Sequence, residues 1–500
     1  MATQLTSFAN IGLKSERITV EVGIGYAEEP KFFIVGLGDT AVQESRQRVK
    51  IALRSCGFHM PSGRVITVNL APADIRKVGP RYDLPIALSL LLAQDVVSVP
   101  EEKIRQTAFL GELALDGSLR HVSGVLPAAI ACAKMGIKTL VVPAANGPEA
   151  ALIPGIEVIA PENLGELVDI LCGERKAAPI PPPAASPAHA FDELIDFADV
   201  RGQEHAKRAL EIAAAGGHNV LMSGTPGSGK TLLARAFRRI LPPLTQDESI
   251  EVTQIYSVAN LLPKDAPLMQ ERPFRMVHHT ASGVSIVGGG QIPGPGEISL
   301  AHRGVLFMDE LAEFPAQVLE VLRQPLEDRT ITITRAQGSI TFPADFILVA
   351  AMNPPEYSAG GAQKIQRRIS APLLDRIDLK IDVQAVPIED LQKKPTANGD
   401  CSDTIRERVA RARAIQRERF FGMRTQTNKE MNVKQIDTLC PLDAASVKLL
   451  QNAVQRLGLS ARSYHRTIKV ARTIADLQGE NSISASHIAE SLQYRQNIRG

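Results

Sequence analysis

The chain has no tryptophan, and Phe and Tyr bring its aromatic share to only 4%. That scarcity argues against extended platforms on which successive nucleic-acid bases stack. Lys and Arg total 56 against 54 Asp and Glu, a formal charge of +2. No global charge draws an acidic partner, so any nucleic-acid contact has to come from local patches. The five cysteines, Cys56, Cys132, Cys172, Cys401 and Cys440, are scattered, and none sit at CxxC spacing. They read as free thiols in a reducing compartment. The longest apolar run, "LPIALSLLLA" (84–93), is far short of the roughly 20 residues that span a bilayer. The N-terminus lacks a basic start followed by an apolar stretch, so no signal peptide is expected. The expectation is a soluble, cytoplasmic protein without membrane contact.

What remains is ordinary globular composition, with 44% hydrophobic residues spread over 500 positions. That is enough for about three domains. "GERKAAPIPPPAASPAHA" (173–190) has five prolines, six alanines and no hydrophobic period, and reads as a semi-rigid linker. Before it, residues 1–172 mix strand runs such as "RVITVNLAP" (64–72) with helices such as "DLPIALSLLLAQ" (83–94), an α/β pattern. Behind it, residues 191–385 alternate strand and helix, which predicts a parallel sheet with helices on both faces. From about 386 to 500 the pattern becomes helical and basic, an all-α lid.

The chemistry is concentrated in 191–385. "GTPGSGKT" (224–231) fits G-x-x-x-x-G-K-[ST] between a predicted strand and a predicted helix, the context that this phosphate loop needs. Gly224, Thr225, Pro226, Gly227, Ser228 and Gly229 would form an ATP-binding loop whose glycines let backbone N–H groups wrap the β-phosphate. Lys230 would reach the β- and γ-phosphates of ATP, and Thr231 would hold Mg²⁺. "GVLFMDE" (304–310) is a buried strand ending in two acids, where α/β sheets place ligands. Asp309 would help hold Mg²⁺, and Glu310 would polarise an attacking water, so hydrolysis is the expected reaction. "LVAAMNP" (348–354) is a third strand, ending in Asn353. Its amide either senses the γ-phosphate or starts a turn before the prolines. "RRISAPLLDRIDL" (367–379) offers either an arginine finger acting in trans or arginines paired with Asp375 and Asp378. "SARSYHRTIKVARTIADL" (460–477) carries Arg462, Arg466 and Arg472 on one helix. "TIRERVARARAIQRERFFGMR" (404–424) has seven arginines and two glutamates, which serve either DNA phosphates or intrachain pairs.

Taken together, these segments resemble the AAA+ ATPases, and within them the magnesium-chelatase-like ComM/YifB family. The resemblance also rests on "LAPADIRKVGPRYDLPIAL" (70–88), "GELALDGSLR" (111–120), "GQEHAKRALEIAAAGGHN" (202–219), "PFRMVHHTAS" (273–282), "PGEISLAHRGVLFMDEL" (295–311), "LLDRIDL" (373–379) and "SYHRTIKVARTIADL" (463–477). It implies a homo-hexameric ring with ATP between subunits. It further implies a helicase that drives branch migration while incoming DNA is integrated during natural transformation. The same resemblance makes Asn353 sensor 1, Arg376 the arginine finger and Arg462 sensor 2, with "VRGQ" (200–203) near adenine. The N-terminal block is similar to the Lon protease fold, but its serine turn reads Gly79-Pro80-Arg81-Tyr82-Asp83, and "SGVLPA" (123–128) has no lysine. An inactive protease fold is therefore expected.

Family members commonly carry a cysteine cluster after the sensor asparagine; "NPPEYSAGGAQKIQRR" (353–368) has none, so no zinc is expected. The loop "HHTASGVSIVGGGQIPGPGE" (278–297) is rich in glycine and nearly uncharged. The resemblance makes it a pore insertion, with glycines free to hinge. Its candidate contacts to single-stranded or branched DNA are His278, His279, Ser282, Ser285, Gly288, Gly289 and Gly290. The competing functions are a metal-chelatase motor subunit and an ATPase that remodels a protein partner. Against the first, no His/Cys/Glu constellation that would hold a metal for insertion is visible in the sequence.

Overall fold

The computed structural model describes residues 3–26, 29–61, 63–180, 195–263, 266–290, 293–335, 338–354, 369–387 and 401–495. The 181–190 part of the proline-rich stretch and most of the cysteine-free segment, 355–368, lie outside them. The chain forms two compact units, Met1–Ser186 with Gln246–Met269, and Pro187–Thr245 with Gln270–Gly500.

The first unit is built on a seven-stranded mixed sheet. Its strands are β1 (Thr3–Ile11), β2 (Lys14–Tyr26), β3 (Lys31–Val35), β4 (Arg64–Ala71), β5 (Thr107–Phe109), β6 (Thr139–Val141) and β7 (Glu157–Ile159), in the order β3-β4-β2-β1-β5-β6-β7. Side chains alternate across it, as the two-residue period of a strand requires. Leu5, Ala9, Phe109 and Val141 join one core with helices α1 (Thr40–Ser55), α2 (Asp83–Ala93) and α4 (Leu164–Cys172). Phe8, Ala108, Leu110 and Leu140 join another with α3 (Val125–Met135). Gly136, at φ 71°, ends α3 in the left-handed conformation that glycine adopts without strain. The helix Gln246–Val258, from far along the chain, also belongs to this unit. Gly124 N–H donates to Ser257 O (3.0 Å), Gln254 Nε2 donates to Leu13 O (2.6 Å), and Ser257 Oγ donates to Glu149. Glu149, itself buried, also accepts from Leu126 N–H (2.9 Å). Arg81 donates to Ser123 O (2.8 Å), so a guanidinium bridges the turn at 79–83 to the one at 123.

The second unit contains a five-stranded, all-parallel sheet. Its strands are β8 (Val220–Ser223), β9 (Phe274–Val277), β10 (Val305–Met308), β11 (Ile347–Met352) and β12 (Leu379–Asp382), in the order β9-β10-β11-β8-β12. β8, β10 and β11 are buried at every residue, which is why they read as continuous apolar runs. Helix α5 (Glu204–Gly216) and helix α6 (Lys230–Phe237) contribute to the core that the sheet shares with α7 (Ser402–Arg419). Beyond α7, the described residues fold into helices that include α8 (Ala444–Leu457), α9 (Ala461–Gln478) and α10 (Ala485–Gln493).

The arginine-rich stretch of 404–424 is largely committed within the unit. Arg408 pairs with Glu211 (2.5 Å), Arg406 with Asp403 (3.0 Å) and Arg419 with Asp476 (2.5 Å), and Arg413 donates to Ala214 O (2.8 Å). Of the two readings of this stretch, the structure favours intrachain pairing.

Asp378 is the buried charge that fastens the helical segment to the sheet. It accepts from Asn219 N–H (3.0 Å) and pairs with Arg466 of α9 (3.0 Å). Lys429 donates to Asn219 Oδ1 (3.0 Å) and Phe346 O (3.1 Å). Burial alone would push the Asp378 carboxyl up, but Arg466, His218 and Lys429 outweigh it and hold it far below the usual range. Burial holds His218 below its ordinary value. Asp378→Ala strands these cations, and unfolding measurements should show a loss of about 3–5 kcal/mol. Acid acts in the same direction. As pH falls below about 6.5, the unfolded chain protonates His218 before the folded one does, and stability declines. The part owed to ionised Asp378 is complete above about pH 3.9 and is lost only below it. A flat stability profile between pH 7 and 5 would contradict this account of His218.

Candidate active site

The strands β8, β10 and β11 deliver the site because they end side by side. Ser223 pairs with Met352, and Met308 with Ala350, so the phosphate loop, Asp309 and Asn353 leave one edge of the sheet together. Gly227 (φ 81°) and Gly229 (φ 91°) hold left-handed backbone that a side chain would strain. Gly224 is fixed by space instead, since a Cβ there would stand 2.2 Å from Val383 O. The sequence pattern of the loop is thus a backbone requirement.

Lys230 Nζ donates to Gly224 O (2.7 Å), Thr225 O (2.9 Å) and Asn353 Oδ1 (3.2 Å). Burial draws its ammonium below the ordinary range, and Asp309 and Glu310 offset this only in part. Thr231 Oγ1 donates to Asp309 Oδ2 (3.0 Å). Two oxygens at that separation suit a hard cation such as Mg²⁺, which takes one or two protein oxygens and completes its shell with phosphate and water. Ser228 Oγ is buried with no hydrogen-bond partner among the described residues, an orphan hydroxyl in the loop that an anion's oxygen would satisfy. Gln203, in the "VRGQ" stretch, donates to Ser228 O (3.4 Å) and Gln384 O (2.5 Å).

Glu310 stands in left-handed backbone, φ 52° and ψ 50°. A non-glycine residue there is strained by about 1–3 kcal/mol, which the surroundings must offset. Its backbone N–H donates to Asp309 Oδ1 (3.0 Å), which fixes the two acids relative to each other. Its carboxylate lies 3.1 Å from His279 Nδ1. His279 was expected in the DNA-contacting set, and the structure brings it to the acid at the end of β10. His278, His279 and Glu310 offer ligand atoms all within 4.8 Å of one another. That is a His/Glu constellation the sequence reading did not find, because its members stand about thirty positions apart.

The other described residues of the 278–297 loop make regular local structure. Ser282 caps a short helix, Gly283–Val287, by accepting from Ser285 N–H (3.1 Å), and Ser285 Oγ donates to Ser282 O (2.8 Å). Gly288 pairs with Pro295 and Gly289 with Gly294. A Cβ on Gly288 would meet Gly294 O at 2.5 Å, and one on Gly296 would meet Gly288 N at 2.3 Å. These glycines permit backbone to pack on backbone, which is a different reason from mobility. Gly290 follows at φ 105°.

The two candidate arginines meet on one carboxylate. Arg376, only 5% exposed, pairs with Glu327 and donates to Pro372 O (2.9 Å), and Arg462 reaches the same Glu327 at 3.4 Å. Glu327 was missed by the sequence reading, and no local pattern marks it. The Arg376 guanidinium holds its carboxyl below the usual range.

Residues 196–391 match the family described as magnesium chelatase, subunit ChlI. Residues 20–146 match subunit ChlI of Mg-chelatase, and residues 399–495 match the ChlI C-terminal family. The chain is 43% identical over 507 residues to Competence protein ComM of Haemophilus influenzae, covering 99% of this chain and 97% of that protein. It is 40% identical over 501 residues to the uncharacterized protein YifB of Escherichia coli, covering 97% and 96%. The Magnesium-chelatase 67 kDa subunit of Heliobacterium mobile is 27% identical over 219 residues, 38% of this chain and 33% of that protein. No helix among the described residues is long and apolar enough to cross a membrane. With full-length similarity at this level, the chain belongs to the ComM/YifB family of magnesium-chelatase-like proteins.

Proposed function

We propose that this chain is an ATP-hydrolysing motor that acts on single-stranded or branched DNA as a homo-hexameric ring, with its helical segment as the lid over the nucleotide. The observation that carries the hydrolytic part is the convergence of Lys230, Thr231, Asp309, Glu310 and Asn353 at one sheet edge. Lys230 would exchange its loop carbonyls for β- and γ-phosphate oxygens, since a lysine satisfied only by neutral acceptors gains from an anion. Mg²⁺, when bound by Thr231 and Asp309, neutralises charge on the phosphates. Glu310 takes a proton from the attacking water, and Asn353 orients that water or the γ-phosphate. Arg376 and Arg462 serve a nucleotide at a subunit boundary once released from Glu327. The Lon-like unit acts as an assembly or partner-binding module without protease activity; its turn Gly79-Pro80-Arg81-Tyr82-Asp83 has no serine.

The DNA part is supported by the similarity to a protein named for competence, with branch migration during integration of incoming DNA as the specific role. The test is the ATPase rate of the assembled protein with and without single-stranded and forked DNA. Stimulation of several-fold by either DNA is expected. A rate indifferent to both would leave the site a motor for another partner, a metal chelatase or a protein remodeller.

A further inference from the structure

We infer that His278, His279 and Glu310 form an inhibitory transition-metal site, and that Zn²⁺ bound there takes the Glu310 carboxylate away from the attacking water. This rests on the reading of Glu310 as the base. Their ligand atoms lie within 4.8 Å of one another. Two imidazoles and one carboxylate are a donor set that Zn²⁺ accepts with a fourth position open. It is separate from the cysteine-type cluster whose absence the sequence shows.

The geometry of the pair at its centre points to a shared ligand. His279 Nδ1 is buried and has no hydrogen-bond partner among the described residues, although Glu310 Oε2 stands 3.1 Å away. The two atoms are close but out of hydrogen-bond alignment. Ligands on a tetrahedral Zn²⁺ at 2.0–2.1 Å are spaced at about 3.3 Å, close to what is seen. The His278 and His279 rings lie with centroids 4.1 Å apart, tilted by 34°. His278 Nδ1 lies 2.9 Å from Thr280 Oγ1. Without metal, Nδ1 also accepts from Thr280 N–H (3.4 Å); on binding metal through Nε2 the ring moves its proton to Nδ1, which then donates to Thr280 Oγ1, the outer-shell arrangement that metal-binding histidines commonly have. Phe314 meets the His279 ring edge-on (centroids 6.4 Å apart) and limits its rotation.

Mg²⁺ prefers the neighbouring Thr231 and Asp309 oxygens, whereas imidazole selects Zn²⁺ and its softer neighbours. The two cations thus have different ligands on either side of the Asp309–Glu310 peptide. Zn²⁺ at this site leaves nucleotide binding intact and stops hydrolysis.

The full-length protein, freed of metal, is titrated with Co²⁺ as a spectroscopic reporter and then with Zn²⁺, without nucleotide. One saturable Co²⁺ absorption band, displaced by Zn²⁺, is expected. It should weaken ten- to a hundredfold in affinity in His278→Ala and in His279→Ala. In parallel, micromolar Zn²⁺ at millimolar Mg²⁺ should suppress ATP hydrolysis at least tenfold. Half-inhibition should move up at least tenfold in His278→Ala, compared with that variant's own zinc-free rate. His278 is exposed, so this variant carries the test even where His279→Ala does not fold. Absence of a saturable band, or a band unmoved by both substitutions, overturns the site. Binding without inhibition overturns its effect on hydrolysis. If Glu310→Gln hydrolyses ATP normally, the base assignment fails and the inhibition with it, while the Co²⁺ titration still decides the site.

Discussion

Lys230→Ala is expected to lower ATP turnover by about a hundred- to a thousandfold, the scale on which removing one donor to transition-state charge acts. Lys230 is hydrogen-bonded to two loop carbonyls and to Asn353, which holds its ammonium in the loop. Its loss also frees Gly224 O and Thr225 O, which water can reach only in part, so thermal unfolding is measured alongside turnover. Mixing two variants tests whether one subunit completes another's site. Subunits with Lys230→Ala keep Arg376, and subunits with Arg376→Ala keep a complete phosphate loop. If Arg376 acts across a boundary, the mixture regains activity that neither variant has alone. If it serves only as the partner of Glu327, the mixture stays inactive.

Glu310→Gln should separate binding from chemistry. The amide keeps the size of the side chain, and the backbone N–H donated to Asp309 Oδ1 is untouched. What disappears is the proton acceptor, worth about 10²- to 10⁴-fold in rate. The expected result is kcat reduced by that factor with ATP affinity changed only a few-fold. Turnover within threefold of the unsubstituted protein would show that Glu310 is not the base and that its strained backbone has another cause.

The parts of this molecule that were legible in the sequence are those whose reasons are local. Gly227 and Gly229 are dictated by their own φ angles, and β10 by being buried on both faces. The strands β8, β10 and β11 appear where the apolar runs predict them. The long antiparallel pair β1–β2 escaped because its two cores draw on partners far along the chain, and so did the hairpin of Thr330–Arg335 with Gly338–Pro343, despite its alternating pattern. The helix Gln246–Val258 follows the helix Lys230–Phe237 in sequence, yet belongs to the first unit, where Ser257 meets Gly124 and Glu149, and nothing in its own residues states that choice. The expected loop glycines are present, but Gly288 and Gly296 are needed for close backbone contact. Glu327 and the His279–Glu310 contact were invisible because each joins segments about thirty or more positions apart.

The central claim is that hydrolysis at this site moves DNA. It is tested most directly by release of a labelled strand from a forked duplex, with the assembled protein, ATP and Mg²⁺, beside the same protein carrying Glu310→Gln. The account predicts strand release that requires ATP and vanishes in Glu310→Gln while DNA binding persists. An assembled ring that hydrolyses ATP at full rate on the fork and releases no strand would contradict it.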